Sequence, residues 1–539
     1  MSFKNYLSKK NNKIMIIINL LFFLILGIIV YFSLTSVSDK DLIIKQKIMI
    51  DNFDYQQKDS SLYTKRMHDI VHESLTAYNY DTKKYEPRGL VDSFEEIKDP
   101  KDNNIIIGYK FILKSNIKFH NKEILKPSDI LYTFQRGLEK NPDNVILGKL
   151  DIKRISKDCN DNNNTITIYY KKDFDTSNMF FELSQVYILN KKACEGDNLD
   201  GCKIGLGFFY LLEWKTNSAD EVILKRFDDF YDKKIRNDFN RIIFQTFEDD
   251  RAAIQEVEKD KDNTIYLDVD DSNIVASGEL NNKIKQIPID MYSLRFLMLN
   301  CPNTKKHVRK LIAQSLDMEK IFEDFKINDY FLTPNSFIYS SEFLGYDIKN
   351  SLRNSNETFE ETKKKVEKLP PEKKTITFVQ SSSYGGIKKR ILDKIVSELE
   401  RVGFKVKREQ GMGFNEMIES CSKPDSKHNI VVLSDSFGNF DISADIKSYF
   451  YVSDSKTEGL DKTSFFKNSE FEQLIQNIDK IDKITKEERL KKIGKILSEH
   501  MPVYPIFANQ PGTVKMLLNK DIKGIKTHFG LINLKNAFI

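Results

Sequence analysis

The sequence predicts an α/β protein with more than one lobe. The chain has 539 residues, and a single hydrophobic core stops growing at about 250–300 residues. Apolar residues recur every three or four positions over 387–402, and an alternating apolar stretch follows at 404–407. With the apolar run 375–379 before them, these segments have the order strand, helix, strand. That order is typical of a parallel strand pair joined by a crossover helix.

The other segments also show one of these two periods. The alternation over 105–113 indicates a strand with one buried face, and the continuous apolar run 294–299 indicates a strand buried on both faces. A capping box that starts at Thr485 marks the start of a helix. We predict further strands at 48–50, 165–170, 222–226, 241–247, 429–433 and 502–507, and helices at 60–77, 127–138, 250–259, 307–322 and 485–499.

Composition excludes several classes of protein. Hydrophobic residues make up 40% and charged residues 30% of the chain, which argues against a membrane bundle and against a disordered chain. Lys and Arg exceed Asp and Glu by only 84 to 79. Nucleic-acid binding usually needs a concentrated basic face, so we expect no nucleic-acid partner.

The first 38 residues differ from the rest. Four lysines among the first 13 residues precede an apolar run at 14–34, followed by polar chain, which is the pattern of an export signal. The run also approaches the roughly 20 residues that span a bilayer. Residues 1–38 are therefore a cleaved signal peptide or a retained membrane anchor. Both readings place residues 39–539 in the periplasm or cell envelope, the second with anchoring in the inner membrane. No Cys near the run offers a site for lipid attachment.

Two groups of residues could carry other chemistry. His68 and His72 are four apart and share a helix face, the spacing of a zinc clamp. A zinc peptidase needs Glu after the first His, where this chain has Asp69, and no third ligand is evident. We therefore favour two histidines on a partly exposed helix face, and expect no enzyme activity, no metal and no cofactor. Cys194 and Cys202 could close a small loop in an exported protein, or all five cysteines could be unpaired thiols.

Several segments resemble one family when read together and in order. They read YKFILKSNIKFHN at 109–121, PSDILYTF at 127–134, HESL at 72–75, GLGFF at 205–209, DFY at 229–231 and VRKLIAQSLDMEKI at 308–321. From about residue 48 to 530 the chain resembles the family 5 solute-binding proteins of ABC transporters, the oligopeptide- and dipeptide-binding type. Leu206 and Phe208 depart from the family's "G-T-G-P-Y", and the family's turn glycine is Asn121 or Lys122 here.

The resemblance implies a periplasmic-binding-protein-like fold of type II, with two lobes and a ligand cleft between them. Lobe 1 would hold residues 45–290, with an extra subdomain at about 80–200. Lobe 2 would hold 291–505, and 506–539 would return to pack on lobe 1. The implied function is to capture peptides by lobe closure and deliver them to the permease subunits of an ABC importer, as a monomer.

The family's amine-binding Asp follows a strand in a "G-W-x-A-D-Y" stretch, and the matching stretch here is 433–441. The Trp position is Asp435 and the Asp position is Gly438, so this motif is missing. We expect the same turn to line the cleft through Asp435, Ser436, Phe437, Asn439 and Asp441. The alternative is a polar surface turn.

Two other functions stay open. The chain could be an anchored envelope protein that keeps this fold in a non-transport role, which the missing site motif and the long apolar run favour. It could also bind a non-peptide solute, such as nickel, a sugar or a peptide-like siderophore.

Overall fold

The computed structural model describes the chain from residue 41 onward, except residues 48–52, 57–61, 143, 145, 173, 175, 177, 197, 216–220, 248–249, 260–262, 271–279, 281, 290–292, 327–330, 333–357, 383, 385, 424, 437–445, 448, 451–460, 477, 479–482, 510–512 and 529. Residues 42–539 form one compact unit. The predicted export segment and the predicted strand at 48–50 lie outside the described residues.

The strands alternate with helices along most of this unit. In chain order they are β1 (Asp41–Gln46), β2 (Thr76–Asn79), β3 (Lys84–Pro87), β4 (Val91–Asp99), β5 (Asp102–Leu113), β6 (Cys159–Asn160), β7 (Thr165–Tyr169), β8 (Phe209–Lys215), β9 (Glu221–Arg226), β10 (Arg241–Thr246), β11 (Thr264–Asp270), β12 (Ile284–Pro288), β13 (Ser293–Leu299), β14 (Phe331–Leu332), β15 (Thr375–Val379), β16 (Lys405–Glu409), β17 (Ile430–Ser436), β18 (Val503–Asn509), β19 (Val514–Asn519), β20 (Lys526–His528) and β21 (Leu531–Asn533).

The helices range from a single turn to five turns. In chain order they are α1 (Leu62–Val71), α2 (Pro127–Lys140), α3 (Ile152–Lys157), α4 (Met179–Ser184), α5 (Lys191–Cys194), α6 (Asp250–Lys259), α7 (Lys306–Gln314), α8 (Met318–Phe325), α9 (Phe359–Glu367), α10 (Pro371–Lys374), α11 (Gly386–Arg401), α12 (Phe414–Cys421), α13 (Asp461–Ser464), α14 (Ser469–Ile475) and α15 (Lys483–His500).

The largest sheet has seven strands, in the order β12-β19-β11-β1-β10-β9-β8. Strand β1 runs parallel to β11, and the neighbouring pairs β11–β19 and β9–β10 are antiparallel. Apolar side chains of these strands and of α1 share one core, which also takes in the end of the chain as far as Ala537. The N-terminal and C-terminal parts of residues 42–539 therefore belong to the same sheet.

A second sheet has six strands, in the order β14-β18-β13-β17-β15-β16. Successive residues of β13 enter different cores: Leu297 and Leu299 pack on one side, while Phe296 and Met298 pack on the other. Both faces of the sheet are therefore covered, as the apolar run 294–299 predicted. Strands β15 and β16 are parallel and α11 connects them, which confirms the predicted crossover unit.

A third sheet has four strands, in the order β4-β5-β7-β6, and packs with α2 around a core of its own. It lies in sequence between β1 and β8 of the seven-stranded sheet. This sheet falls inside the segment 80–200 for which an extra subdomain is predicted, although the bounds of that subdomain stay a prediction.

The chain passes between the two large sheets twice. It leaves the seven-stranded sheet after β12 and enters the six-stranded sheet at β13, and it returns between β18 and β19. Strand β12 pairs with β19 in the first sheet and β13 pairs with β18 in the second, and both pairs are antiparallel. The two connecting segments therefore leave and enter each sheet on neighbouring strands. Position 506 lies inside β18, and the lobe bounds 45–290, 291–505 and 506–539 stay a prediction.

Three predicted helices differ in extent. The helix predicted at 60–77 ends at Val71 and is followed by strand β2. The helix predicted at 307–322 is two helices, because the Asp317 side chain accepts a hydrogen bond from the Lys320 backbone N–H and starts a new helix there. Helix α15 begins at Lys483, so Thr485 lies in its first turn and is not its cap.

Candidate functional site

A solvent-open cavity lies at the end of helix α1. Its walls come from α1 and the segment after it, from the hairpin β2–β3, from the segment after α4 and from the C-terminal hairpin β20–β21. The lining residues are Asp69, Ile70, His72, Glu73, Ser74, Thr76, Ala77, Tyr78, Tyr80, Tyr85, Ser184, Gln185, Tyr187, Phe208, Phe209, His528, Leu531, Ile532, Asn533, Leu534 and Lys535.

Two glycines hold the back of this cavity against the end of α1. The Gly207 N–H donates to the Val71 carbonyl oxygen at 2.9 Å. A Cβ atom on Gly205 would lie 2.0 Å from that same oxygen, and one on Gly207 would lie 2.2 Å from the Ile70 oxygen. Only glycine permits so close a backbone approach. The GLGFF segment therefore brings Phe208 and Phe209 into the cavity wall.

Aromatic rings form one wall of the cavity. The ring of His528 stacks on Tyr78 with centroids 3.4 Å apart, and its Nε2 is 3.1 Å from the Tyr85 hydroxyl. The Tyr78 ring also contacts Tyr80 and Tyr85 at 5.2 and 5.3 Å. Burial lowers the pKa of His528 to about 4, so this imidazole is neutral at ordinary pH. The wall presents apolar ring faces together with phenol hydroxyls.

Two carboxylates and one ammonium group give the cavity its charge. Lys535 Nζ lies 2.5 Å from Glu73 Oε1, and the Glu73 side chain is 7% exposed. Asp69 lies in the last turn of α1, four residues before Glu73. Burial raises the pKa of Asp69 from 3.8 to about 6, against the opposing attraction of Lys535. With His528 neutral, the described charges leave the cavity with one net negative charge.

The prediction that His68 and His72 lie on a partly exposed helix face is wrong. Both are 1% exposed, because the rings of Tyr55 and Tyr187 cover them. Burial lowers the pKa of His68 to about 4 and that of His72 well below its ordinary value. Within the described part of the chain, no group of three His, Cys, Asp or Glu side chains is placed to hold a metal ion.

The cysteines are all free thiols in this structure. Cys194 Sγ and Cys202 Sγ nevertheless lie 3.9 Å apart, and both residues are buried. A Cβ atom on Gly201 would lie 2.0 Å from the Ala193 carbonyl oxygen, so the two backbone segments that carry these thiols are in direct contact.

The predicted cleft residues fall at the end of β17. Asp435 and Ser436 are its last two residues and pair with Leu294 and Ser293 of β13. Phe437, Asn439 and Asp441 lie outside the described residues. The role of all five stays a prediction.

Sequence reasoning missed the cavity residues Asp69, Tyr78, Tyr85, His528 and Lys535. They come from two segments whose nearest members, Tyr85 and His528, are 443 positions apart in the chain, so no local pattern joins them. Two signals could have found the site: the HESL segment at 72–75 and the GLGFF segment at 205–209 both resemble family motifs and form part of the cavity wall.

The family model for the bacterial extracellular solute-binding proteins, family 5, middle region, matches residues 107–457. This match defines the class of protein, a bacterial extracellular solute-binding protein. The chain belongs to the family 5 bacterial extracellular solute-binding proteins. No curated protein sequence matches it.

Solved structures share the fold over nearly the whole chain. The oligopeptide-binding protein AppA from Bacillus subtilis, in complex with a nonapeptide, is 17% identical with a TM-score of 0.74, covering 93% of this chain and 98% of AppA. A dipeptide-binding protein from Pseudoalteromonas sp. SM9913, in complex with Met-Leu, is 16% identical with a TM-score of 0.73, covering 92% and 99%. NikZ from Campylobacter jejuni, in complex with Ni(L-His), is 17% identical with a TM-score of 0.72, covering 92% and 98%.

These similarities show the periplasmic-binding-protein-like α/β fold that the sequence predicted. Among the described residues, no helix combines the length and apolar character needed to cross a membrane. The apolar run 14–34 is not among them.

Proposed function

We propose that this protein captures peptides, or a peptide-like solute, outside the cytoplasmic membrane and delivers them to the permease subunits of an ABC importer. The observation that supports it most directly is the cavity at the end of α1, in a chain of the family 5 solute-binding proteins. The protein binds its cargo without converting it, so it is not an enzyme, and it acts as a monomer.

The chemistry of the cavity suits a peptide. A peptide has charged ends, backbone amides and varied side chains. A general receptor must bind the charged ends and the backbone amides and must accept many different side chains. Tyr78, Tyr80 and Tyr85 supply flat apolar faces for side chains, and their hydroxyls supply hydrogen-bonding groups. Ser74 and Asn533 add polar residues to the lining.

The two passages between the large sheets are suited to act as a hinge. We assign lobe 1 to the seven-stranded sheet and the cavity, and lobe 2 to the six-stranded sheet, with bounds near 45–290, 291–505 and 506–539. The turn that follows β17 would then be the opposite wall of the cleft, with Asp435, Ser436, Phe437, Asn439 and Asp441 reaching the ligand. Closing the lobes would remove water from the ligand and strengthen its ion pairs.

Residues 1–38 deliver the rest of the chain across the membrane, either as a cleaved signal or as an anchor in the inner membrane. Anchoring would keep the receptor near its permease. An N-terminal sequence that begins after residue 38 in protein from the envelope supports cleavage, and an intact N-terminus in the membrane fraction supports anchoring.

The first test is mass spectrometry of the solute that copurifies with the protein from an envelope extract. Recovery of short peptides supports the proposal and defines their length. In calorimetric titrations with such peptides, we expect Asp435→Ala combined with Asp441→Ala to weaken binding at least tenfold. Asp92→Ala, at an exposed position of β4, is the matched control. Equal affinity in the double variant and the wild type would remove these residues from the cleft.

A second candidate is a non-peptide solute, which the loss of the family's amine-binding Asp at Gly438 favours. The same mass spectrum separates the candidates, because a single non-peptide compound or a nickel chelate would replace the peptide series. An empty protein that no peptide stabilises would instead favour the non-transport role.

A further inference from the structure

We propose that Asp69 anchors a positively charged group of the ligand, so that the cargo of this protein carries an ammonium or guanidinium group at this end of the cleft. The inference rests on the proposed function, because it names the chemistry of one subsite in the same cleft.

The two carboxylates of the cavity differ in their partners. Glu73 is paired with Lys535 at 2.5 Å, so its charge is already balanced. Asp69 makes no hydrogen bond and no ion pair with any side chain that the structure describes, although it lines the cavity. Since the lining carries one net negative charge, the group that completes the site electrostatically is a cation.

Tyrosine rings line the same cavity as Asp69. The Asp69 charge adds to burial in raising the pKa of Tyr80, Tyr85 and Tyr187, so all three phenols are within electrostatic reach of Asp69. The negative face of an aromatic ring attracts a cation. An ammonium group placed beside Asp69 would therefore meet a carboxylate and tyrosine rings together.

The cost of leaving Asp69 empty supports this role. Asp69 is half-buried, and burial raises the pKa of a carboxyl group that has no partner, here to about 6. A bound cation would reverse that shift, so ligand binding and proton release from Asp69 are linked. The cavity has other titratable groups: Glu73, Lys535, the tyrosines and two histidines. Burial lowers the pKa of both histidines, His72 and His528, so they stay neutral across the range in which Asp69 titrates.

The linkage has a definite sign. Above about pH 6 Asp69 is ionised in the empty protein and is ready to pair with a cation. Below that pH a proton competes with the ligand, so affinity should fall by up to about tenfold per pH unit.

The test compares two libraries of tripeptides to pentapeptides on the purified full-length protein. One library has free amino groups, and the other is acetylated at its N-termini and lysines. We expect the wild type to bind the free library at least tenfold more tightly, and Asp69→Asn to lose that preference and its dependence on pH between 5 and 7, values chosen to bracket the titration of Asp69. Asp92→Asn, at an exposed position, should keep both. A melting temperature of Asp69→Asn equal to or above that of the wild type would show that the variant is folded.

Each outcome decides one step. If Asp69→Asn keeps the wild-type preference for free amines, the inference is overturned and the proposed function stands. If the wild type binds neither library, the proposed function is overturned, and the inference with it. A copurified peptide series that lacks any positively charged group would also overturn the inference alone.

Discussion

Arg66 forms a buried ion pair that joins three distant segments. It lies in α1 and is 0% exposed. Its Nη1 and Nη2 donate to the two carboxylate oxygens of Asp268 in β11 at 2.5 and 2.7 Å, and its Nε donates to the Gly530 carbonyl oxygen at 2.7 Å. Replacing Arg66 by Met would leave the Asp268 carboxylate buried without its partner.

The expected effect follows from the burial of both partners. Removing one member of a buried pair costs about 3–5 kcal/mol. The unfolding entropy is about 2.1 cal/mol/K per residue, which for residues 42–539 amounts to about 1 kcal/mol/K. If this unit unfolds as a whole, Arg66→Met should lower the melting temperature by about 3–5 °C.

Circular dichroism melting curves of the wild type and three variants would measure this effect. Asp268 has a positive φ of 62°, a backbone conformation that Asn tolerates, so Asp268→Asn removes the charge without straining the backbone. We expect the double variant, Arg66→Met with Asp268→Asn, to melt above Arg66→Met alone, because no unpaired charge remains. A single variant that melts with the wild type, or a double variant no better than Arg66→Met, would refute the reasoning.

Two further predictions concern acid and oxidation. Burial lowers the pKa of His68 from 6.5 to about 4, so the unfolded chain takes up a proton between these pH values that the folded chain does not. Stability contributed by neutral His68 should therefore fall by up to about 1.4 kcal/mol per pH unit as pH drops through that window. His68→Gln should flatten the curve of melting temperature against pH there, and exposed His307→Gln should not; identical curves for both variants would contradict this. Because Cys194 Sγ and Cys202 Sγ lie 3.9 Å apart, a disulfide oxidant such as oxidised glutathione should join them, with loss of two hydrogen atoms in the intact mass. Cys194→Ser should abolish that change, and an unchanged wild-type mass would contradict it.

The parts of the fold that could be predicted are those set by local periodicity. The crossover unit at 375–409 was found because Ile391, Ile395 and Leu399 lie one turn apart on a single helix face. Strand β13 was found because a strand covered on both faces needs apolar residues at every position. Where a side chain interrupts the local pattern, as Asp317 does by capping a second helix, periodicity alone gave one helix instead of two.

The candidate site could not be predicted in the same way. In the sequence, Asp69 stands where a zinc peptidase would have its catalytic Glu, and nothing local assigns it another role. Its role in the cavity depends on Lys535 and on tyrosines of a separate hairpin. The burial of His68 and His72 likewise depends on Tyr55 and Tyr187. The spacing of apolar residues in the helix does not predict these contacts. Pairing over such distances is set by the tertiary fold.

The place of β19 in the seven-stranded sheet has a consequence for biosynthesis. Strand β12 pairs with β19, and β19 is also the antiparallel neighbour of β11, so β11 and β12 lack their common neighbour until residues 514–519 have been made. The ribosome must therefore make the segment from β1 through β19 before this sheet gains its last strand. Domains that are complete early fold during synthesis, whereas this sheet stays incomplete until β19 has been made. The strands of this sheet that are made first, beginning with β1 at Asp41, therefore spend the longest time without their complete sheet.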